Sequence, residues 1–405
     1  MWHKKVRSGK KIELEFFGNF ILQLQEHFNT KIFISIHLMT NFRILKPFQP
    51  AISFASILLV LMAFSGTSSC VKNTPFKDPF SVPSSYHFES TDSSAKAKVI
   101  MMKAMENYLS TANSGVLDTL LIDSLWQNKN NSFTPTMAPD FLYSAAILNN
   151  MKTIGLMGST NSVNELMIFA DSLYIASKSY SINATNGTAG FLQSGASKYL
   201  VSRSGRAYKE IWANAMIGGL AMSNVSSLFM GANGIDPLNL AYDFMGLPRG
   251  YDPGTNYDTP PVKADRPLGI ASLFAITDTG KQMAAKIYEE FRRAGAALKA
   301  GNSDIAGGSM VLIRDYTDKA IAAALISYLD NVKKSSDKGI QLHNLSMAYG
   351  LVWAMQFRLV QGALTNQDYN ALRVVMDTNF YTLIQESGFT KINQVRNAFA
   401  NAYGL

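Results

Sequence analysis

The chain of 405 residues contains one cysteine and five histidines, and only 16% of its residues are charged. One cysteine cannot form an intramolecular disulfide and is too few for a zinc site built on paired cysteines. The sequence has no HExxH, GxSxG, GxGxxG or Walker motif. The SxxK sequences at Ser93 and Ser335 lack the SDN and KTG partners and lie at predicted helix edges. The common metalloprotease, hydrolase and nucleotide-binding motifs are therefore missing.

Positive charge is concentrated at the N-terminus. The net charge is +8, and residues 1–69, with eight Lys or Arg and three Asp or Glu, hold +5 of it. The remainder, about +3, shows no basic run with interleaved aromatic residues. We therefore expect no nucleic-acid partner.

The one cysteine, Cys70, follows the pattern of a bacterial lipoprotein signal. An apolar run over 51–64 is too short for a comfortable membrane span but suits the central region of a signal peptide. Arg43 and Lys46 precede this run, and small residues lead from it to Cys70. The pattern predicts lipidation at Cys70; the alternative is an incidental cysteine at the end of an ordinary signal sequence.

The same pattern divides the chain. Residues 39–69 form the predicted signal peptide, beginning at Met39. We interpret residues 1–38 as a mis-annotated leader, the alternative being an unusually long basic one. Residues 70–91, with three prolines and little periodicity, are predicted to be a tether. Residues 92–405 are the expected folded domain.

Helical periodicity dominates that domain. The predicted helices lie near 93–112, 117–127, 140–153, 162–180, from 206 onward, 280–300, 304–334, 340–362, 366–387 and 390–402. Turn residues predict a small hairpin near 187–205 and an irregular zone over 231–279. The prediction is an all-α fold.

His343 is one of two histidines after the signal peptide and lies on the predicted helix 340–362, which is apolar around most of its circumference. Such a helix is usually buried. Two interpretations stay open: a hydrogen-bonded core histidine, or a residue that lines a pocket or binds a ligand.

Several segments resemble, in order, a family of Bacteroidota envelope lipoproteins of unassigned function that is related in fold to imelysin. The segments are Val82-Pro-Ser-Ser-Tyr-His-Phe-Glu89, Lys198-Tyr-Leu-Val201, Ala241-Tyr-Asp-Phe-Met-Gly-Leu-Pro248, Phe291-Arg-Arg-Ala-Gly295 and His343-Asn-Leu-Ser-Met-Ala-Tyr-Gly350. The resemblance covers about 80–405. It implies an imelysin-like fold, with two helical bundles packed as one unit.

The chain departs from that family at the residues best suited to metal or proton chemistry. Asp236 stands where the family has its signature histidine, and Met347 where it has a glutamate. An intact imelysin-type site is therefore not expected. The resemblance implies instead a degenerate pocket formed by Asp236, Asn239, Tyr242, Asp243 and His343.

The expected function is a binding lipoprotein of the outer membrane that faces the periplasm, with the cell surface as the alternative location. The resemblance implies a link to iron or metal uptake, although no particular metal or cofactor is indicated. A glycan- or polymer-binding role is the alternative, with Tyr251 and Tyr257 as stacking platforms. The imelysin peptidase label is the only support for an enzyme, and no catalytic residues are proposed.

Overall fold

Helices make up almost all regular secondary structure in the computed structural model, which describes residues 78–87, 93–137, 144–150, 160–231, 234–252, 254–257 and 265–405. These residues belong to one compact unit, Asp78–Leu405. The helices and one two-stranded sheet in these ranges confirm the predicted all-α class. The predicted leader, the signal peptide and Cys70 lie outside the described residues. No helix within the described ranges is long and apolar enough to cross a membrane.

The α-helices of the described ranges are numbered in chain order. They are α1 (Ser94–Ser110), α2 (Thr119–Gln127), α3 (Ala145–Asn150), α4 (Thr160–Ser177), α5 (Tyr208–Met216), α6 (Ser223–Gly231), α7 (Ile235–Met245), α8 (Asp278–Lys299), α9 (Ser303–Lys334), α10 (Lys338–Ala354), α11 (Asn366–Met376), α12 (Phe380–Gln385) and α13 (Thr390–Tyr403). A π-helical segment, Ile217–Met222, joins α5 to α6, and a 3₁₀ helix, Gly269–Ile276, precedes α8.

Side-chain caps define where several helices begin. Asp118 accepts a hydrogen bond from the Leu120 amide at the start of α2. The hydroxyl of Thr277 accepts a hydrogen bond from the Gly280 amide at the start of α8. Thr365 caps α11, since its hydroxyl accepts a hydrogen bond from the Asp368 amide at 3.1 Å. Each cap satisfies an amide that the first helical turn leaves without an intrahelical partner.

The core lies between helices that pack against one another. Helix α8 packs on α9, α9 on α10, and α10 on α5. The apolar face of α8 shows the reason, because Met283, Ile287, Phe291 and Ala294 recur at helical spacing and are all buried.

Two glycines bring α10 into unusually close contact with the helix that starts at α5. A Cβ on Gly350 would lie 2.7 Å from the Asn214 Cβ, and one on Gly218 would lie 2.4 Å from the Ala354 Cα. Real Cβ atoms essentially never approach so closely. This packing places the side chains of α5 directly beside those of α10.

The predicted hairpin is confirmed. Strands β1 (Gly190–Ser194) and β2 (Ser197–Val201) pair in antiparallel register, with Gly190 opposite Val201. Gly195 in the turn adopts a φ of 56°, a conformation that glycine reaches without steric cost.

The prediction of irregular structure over 231–279 is wrong in two places. Helix α7 occupies Ile235–Met245, and a 3₁₀ helix occupies Gly269–Ile276. The pattern of α7 was obscured by Pro237, but proline is tolerated in a first helical turn because amides there lack intrahelical acceptors.

Two predicted helices end earlier than expected. The prediction for 366–387 is wrong between α11 and α12, where Asn379 caps a new helix and the Phe380 amide donates to the Ser204 carbonyl at 2.9 Å. The prediction for 340–362 extends too far, because α10 ends at Ala354. The amides of Leu359 and Val360 donate instead to the buried carboxylate of Asp318 on α9.

Residues 78–87, which lie within the predicted tether 70–91, are part of the described compact unit. Residues 78–87 pack onto the helical unit, and the Tyr86 side chain is completely buried. Arg293 holds Asp78 through two guanidinium nitrogens, at 2.8 and 3.0 Å. Arg292 also donates to the Pro83 carbonyl at 2.9 Å. This stretch therefore belongs to the folded unit.

Candidate functional site

A cavity of about 380 Å³ lies between α1, α5, α9, α10 and the segment around the 3₁₀ helix. Its volume falls in the range of small-molecule sites, which are typically about 300–1,000 Å³. The polar lining residues are Lys103, Glu106, Lys209, Glu210, Asn214, Arg266, Ser272, Tyr328 and His343. The apolar lining residues include Met102, Ala213, Ile217, Leu273, Ile276 and Met347.

Helical spacing directs these side chains toward the same space. Met102, Lys103 and Glu106 share one face of α1. His343 and Met347 are four residues apart on α10, and Glu210 and Asn214 are four apart on α5. Because the glycine contacts bring α5 close to α10, Glu210 lies opposite His343.

Charged side chains form a continuous row of alternating sign along this wall. Nδ1 of His343 lies 3.3 Å from Oε1 of Glu210, an ion-pair distance without the angle of a hydrogen bond. Oε2 of Glu210 lies 2.7 Å from Lys209 Nζ, which is 3.4 Å from Glu106 Oε1. Lys103 ends the row, with its Nζ 2.7 Å from Glu106 Oε2.

The row keeps its central members ionised. Burial by itself raises the pKa of Glu210. His343 and Lys209 lower it by a larger amount, so that the pKa falls to about 2. Burial by itself lowers the pKa of Lys209, but Glu210 and Glu106 more than offset this and raise it to about 12. A negative and a positive charge therefore persist at this wall across the physiological pH range.

His343 lies at the edge of the cavity. About a quarter of its side chain is exposed, at 27%, and its ring packs on Tyr199 of β2 with 4.5 Å between ring centroids. This exposure does not agree with the interpretation of His343 as a hydrogen-bonded core histidine. Of the two interpretations left open by the sequence, the lining of a cavity agrees with this position.

The other four predicted pocket residues lie on α7, and the structure does not place them in this lining. Asp236 is exposed in the first turn of α7. Asn239 is buried and accepts a hydrogen bond from Tyr86 Oη at 2.6 Å. The Tyr242 ring stacks on Tyr86, and its hydroxyl donates to the Pro248 carbonyl. Asp243 is buried, with Arg249 Nη2 at 3.7 Å from its carboxylate.

A single pocket containing all five residues therefore stays a prediction, since the described cavity includes only His343 among them. Within the described ranges, no group of three or more His, Cys, Asp or Glu side chains is arranged to hold a metal ion. Cys70, the predicted lipidation site, lies outside those ranges.

The two loop tyrosines do not form an exposed platform. Tyr251 is buried and packs edge-on against Tyr288. Tyr257 stacks on Tyr251, with 6.1 Å between ring centroids, and its hydroxyl accepts from the Asp252 amide at 2.8 Å. The expectation that both rings are free to stack on sugars is not met by Tyr251.

Sequence reasoning missed Glu210 and Lys209. Adjacent charges of opposite sign normally occupy a solvated helix face, and nothing local distinguishes this pair from such a face. One signal was present: Tyr208, Ile211, Trp212 and Ala215 surround the pair with an apolar helical pattern. A charged residue next to that pattern is a candidate for partial burial with a partner.

Comparison with known families gives one match. Residues 274–404 match the family model of a domain of unknown function (DUF4856). The matched part runs from the 3₁₀ helix through α13 and includes His343, whereas Lys209 and Glu210 precede it. Searches of curated proteins and of solved structures gave no match. The match supports a family of unassigned function.

Proposed function

We propose that this chain is a lipid-anchored binding protein of the bacterial envelope that takes a small organic molecule in the cavity beside His343. The observation that carries the binding role is the cavity itself, where an ionised carboxylate, an ammonium group and an imidazole meet an apolar wall. Sites for small molecules typically combine an apolar lining with a few convergent polar groups.

The geometry favours binding over catalysis. A carboxylate lies beside the imidazole of His343, as in catalytic triads, but it does not accept a hydrogen bond from Nδ1, and a triad also needs a nucleophile bonded to the imidazole. The serine of the lining, Ser272, donates its hydroxyl to the Gly269 carbonyl at 2.6 Å. That bond commits the hydroxyl proton to a backbone acceptor rather than to the imidazole.

The anchoring part of the proposal rests on the sequence around Cys70. A thioether-linked lipid there would hold the protein at a membrane, and we favour the periplasmic face of the outer membrane because no acid-rich segment follows the cysteine. A link to iron or metal uptake rests on the resemblance to imelysin-like proteins. Metal ions are therefore one arm of the ligand screen.

The binding role is tested by a thermal-shift screen of the full chain against small carboxylates, phosphates, amines, sugars and divalent metal ions. A ligand that binds only the folded state raises the melting temperature. We expect at least one organic compound to do so, and the shift to disappear in His343→Ala and shrink in His343→Gln. Asp236→Ala is the control, because Asp236 is exposed and outside the lining. The proposal fails if no compound stabilises the protein or if every shift survives both His343 substitutions.

The anchor is tested separately in cells with an alkyne analogue of palmitate. Labelling of the membrane fraction should be lost in Cys70→Ala and retained in the neighbouring control Ser69→Ala. Unchanged labelling of Cys70→Ala would rule out the anchor. Removal of the protein by protease treatment of intact cells would place it on the cell surface instead.

A further inference from the structure

The lysines and glutamates of the cavity lining balance one another. Nζ of Lys103 lies 2.7 Å from Oε2 of Glu106. Nζ of Lys209 lies 2.7 Å from Oε2 of Glu210. Arg266, which also lines the cavity, has an interaction partner of its own and is not free. The two lysines and two glutamates therefore cancel and leave no net charge for a ligand to balance.

This balance disfavours a charged ligand of either sign. An anion drawn to Lys103 would also face the carboxylate of Glu106, and a cation drawn to Glu210 would also face the ammonium of Lys209. An ion that enters a partly enclosed site gives up its hydration, and this cost is offset only beside an opposite charge that is not already paired. The lining therefore favours an uncharged ligand.

The hydroxyl of Tyr328 is available to such a ligand. Tyr328 lines the cavity from α9 and is partly buried. Burial raises the pKa of this hydroxyl to about 12, and the charges of Glu210 and Glu106 add to the rise, so the group keeps its proton at neutral pH. Within the described ranges it forms no hydrogen bond with another protein group. It can therefore donate a hydrogen bond to a ligand.

His343 supplies an acceptor beside this donor. Its Nδ1 faces the ionised carboxylate of Glu210 at 3.3 Å, which favours the neutral tautomer with the proton on Nδ1. The other ring nitrogen, Nε2, is then an acceptor, and no protein group in the described part of the chain donates to it. A hydroxyl group both donates and accepts, so it matches this pair of groups.

We propose that the ligand is a small uncharged alcohol that exchanges hydrogen bonds with Tyr328 and His343. Its hydrocarbon part rests on the apolar lining formed by Met102, Ile217 and Met347. This inference rests on the proposed binding function and names its ligand class. Burial of the hydrocarbon part supplies affinity, and the two polar groups select a hydroxyl over a purely apolar compound.

Four probes with the same ring separate charge from hydrogen bonding. Benzyl alcohol is neutral and carries a hydroxyl, benzoate is negative, benzylamine is positive, and toluene lacks a polar group. Calorimetric titration of the full chain at pH 7 should show a benzyl alcohol affinity about tenfold above that of each ion and about fivefold or more above that of toluene. Benzoate or benzylamine binding as tightly as benzyl alcohol would overturn the uncharged class. Toluene binding as tightly would overturn the role of the hydroxyl.

Tyr328→Phe tests where the hydroxyl is held. This change keeps the ring and removes only the oxygen, so the fold should persist. The affinity for benzyl alcohol should fall about fivefold or more, while that for toluene should not fall. Tyr316→Phe is the matched control, because Tyr316 lies on the same helix, is also partly buried and does not line the cavity. Alcohol binding that survives Tyr328→Phe unchanged would overturn the placement.

Failure of this inference can be told apart from failure of the proposed function. If none of the four probes binds but another compound in the thermal-shift screen does so through His343, the alcohol class is wrong and the binding function stands. If the screen also yields no such compound, both are wrong.

Discussion

The ring of Tyr86 lies face to face with the ring of Tyr242, with 4.1 Å between the ring centroids and 4° between the ring planes. Tyr86 belongs to the segment that leads from the N-terminal region into the helical unit, and Tyr242 belongs to α7. Phe291 of α8 meets both rings edge-on. These ring contacts therefore pack residues 78–87 against α7 and α8.

Tyr86→Ala should destabilise the protein by about 3–5 kcal/mol, because it removes a fully buried aromatic ring and leaves a cavity. Tyr86→Phe should reduce the free energy of unfolding by only about 1–3 kcal/mol, since it keeps the ring and removes the hydroxyl that donates a hydrogen bond to Asn239. Urea unfolding measures both. The exposed neighbour supplies the control, as His87→Ala should change stability little. Equal stability of wild type and Tyr86→Ala would show that residues 78–87 do not contribute to the fold.

Gly350→Ala should destabilise the protein by about 1–3 kcal/mol or more, because the added methyl group would overlap the Asn214 Cβ and the Ile211 carbonyl at 2.7 Å. Gly307→Ala is the matched control on α9, where nothing lies within 4 Å of the added atom. That change should instead stabilise by about 0.5–1 kcal/mol, since alanine is the better helix former. Denaturant unfolding of both variants gives the comparison. A Gly350→Ala protein as stable as the Gly307→Ala control would contradict the close α5–α10 contact.

Glu210 should make stability fall in acid. Its pKa is about 2 in the folded protein against an ordinary 4.5, so the unfolded chain takes up the proton first as the pH is lowered. The stabilisation is complete above pH 4.5 and is lost as the pH falls toward 2, with a total of about 3 kcal/mol. Glu210→Gln should lose this acid dependence and be less stable at neutral pH, whereas the exposed-site control Glu289→Gln should keep it. Unfolding free energies measured across this pH range decide the outcome, and an unchanged acid slope in Glu210→Gln would refute the assignment.

Asp318 should act in the opposite direction. Burial raises its pKa to about 7 from an ordinary 3.8, although the amides of Leu359 and Val360 and the charge of Arg358 oppose the rise. Stability from this group is therefore complete below pH 3.8 and is lost as the pH rises through 7, by a few kcal/mol at most. Asp318→Asn should flatten the decline between these two pH values, and Asp315→Asn, one turn earlier and more exposed, should not. A decline that persists in Asp318→Asn would show that another group causes it.

The sequence was sufficient to predict those elements of the fold that depend on residues close together along the chain. The period of apolar residues in α8 and α9 follows from local geometry and predicts these helices almost to their ends. The cap at Thr365 and the glycine turn of the hairpin are likewise set by neighbouring atoms. Local patterns did not predict α7, because Pro237 is typical of a helix break. They also did not predict the end of α11, because neither glycine nor proline lies between α11 and the cap Asn379.

The candidate site was predictable only in part, for a physical reason. His343 stands out as one of few histidines, on an apolar helix, and this rarity suffices to select it. Its partner Glu210 does not stand out, because a Lys-Glu pair on a helix looks the same whether water or another helix faces it. The residues on α7 were selected by resemblance, and the structure shows that Asn239 and Tyr242 bond to Tyr86 and to the Pro248 carbonyl.

The amino-acid sequence by itself determined the helical class, most helix boundaries, the hairpin and the absence of the common catalytic motifs, because each of these depends on residues close together along the chain. Tertiary structure alone decided that residues 78–87 join the core, that α5 and α10 approach closely enough to pair Glu210 with His343, and that a cavity opens beside them. Those features depend on distances between residues far apart in the chain, and such distances are set by the packing of whole helices rather than by any local pattern.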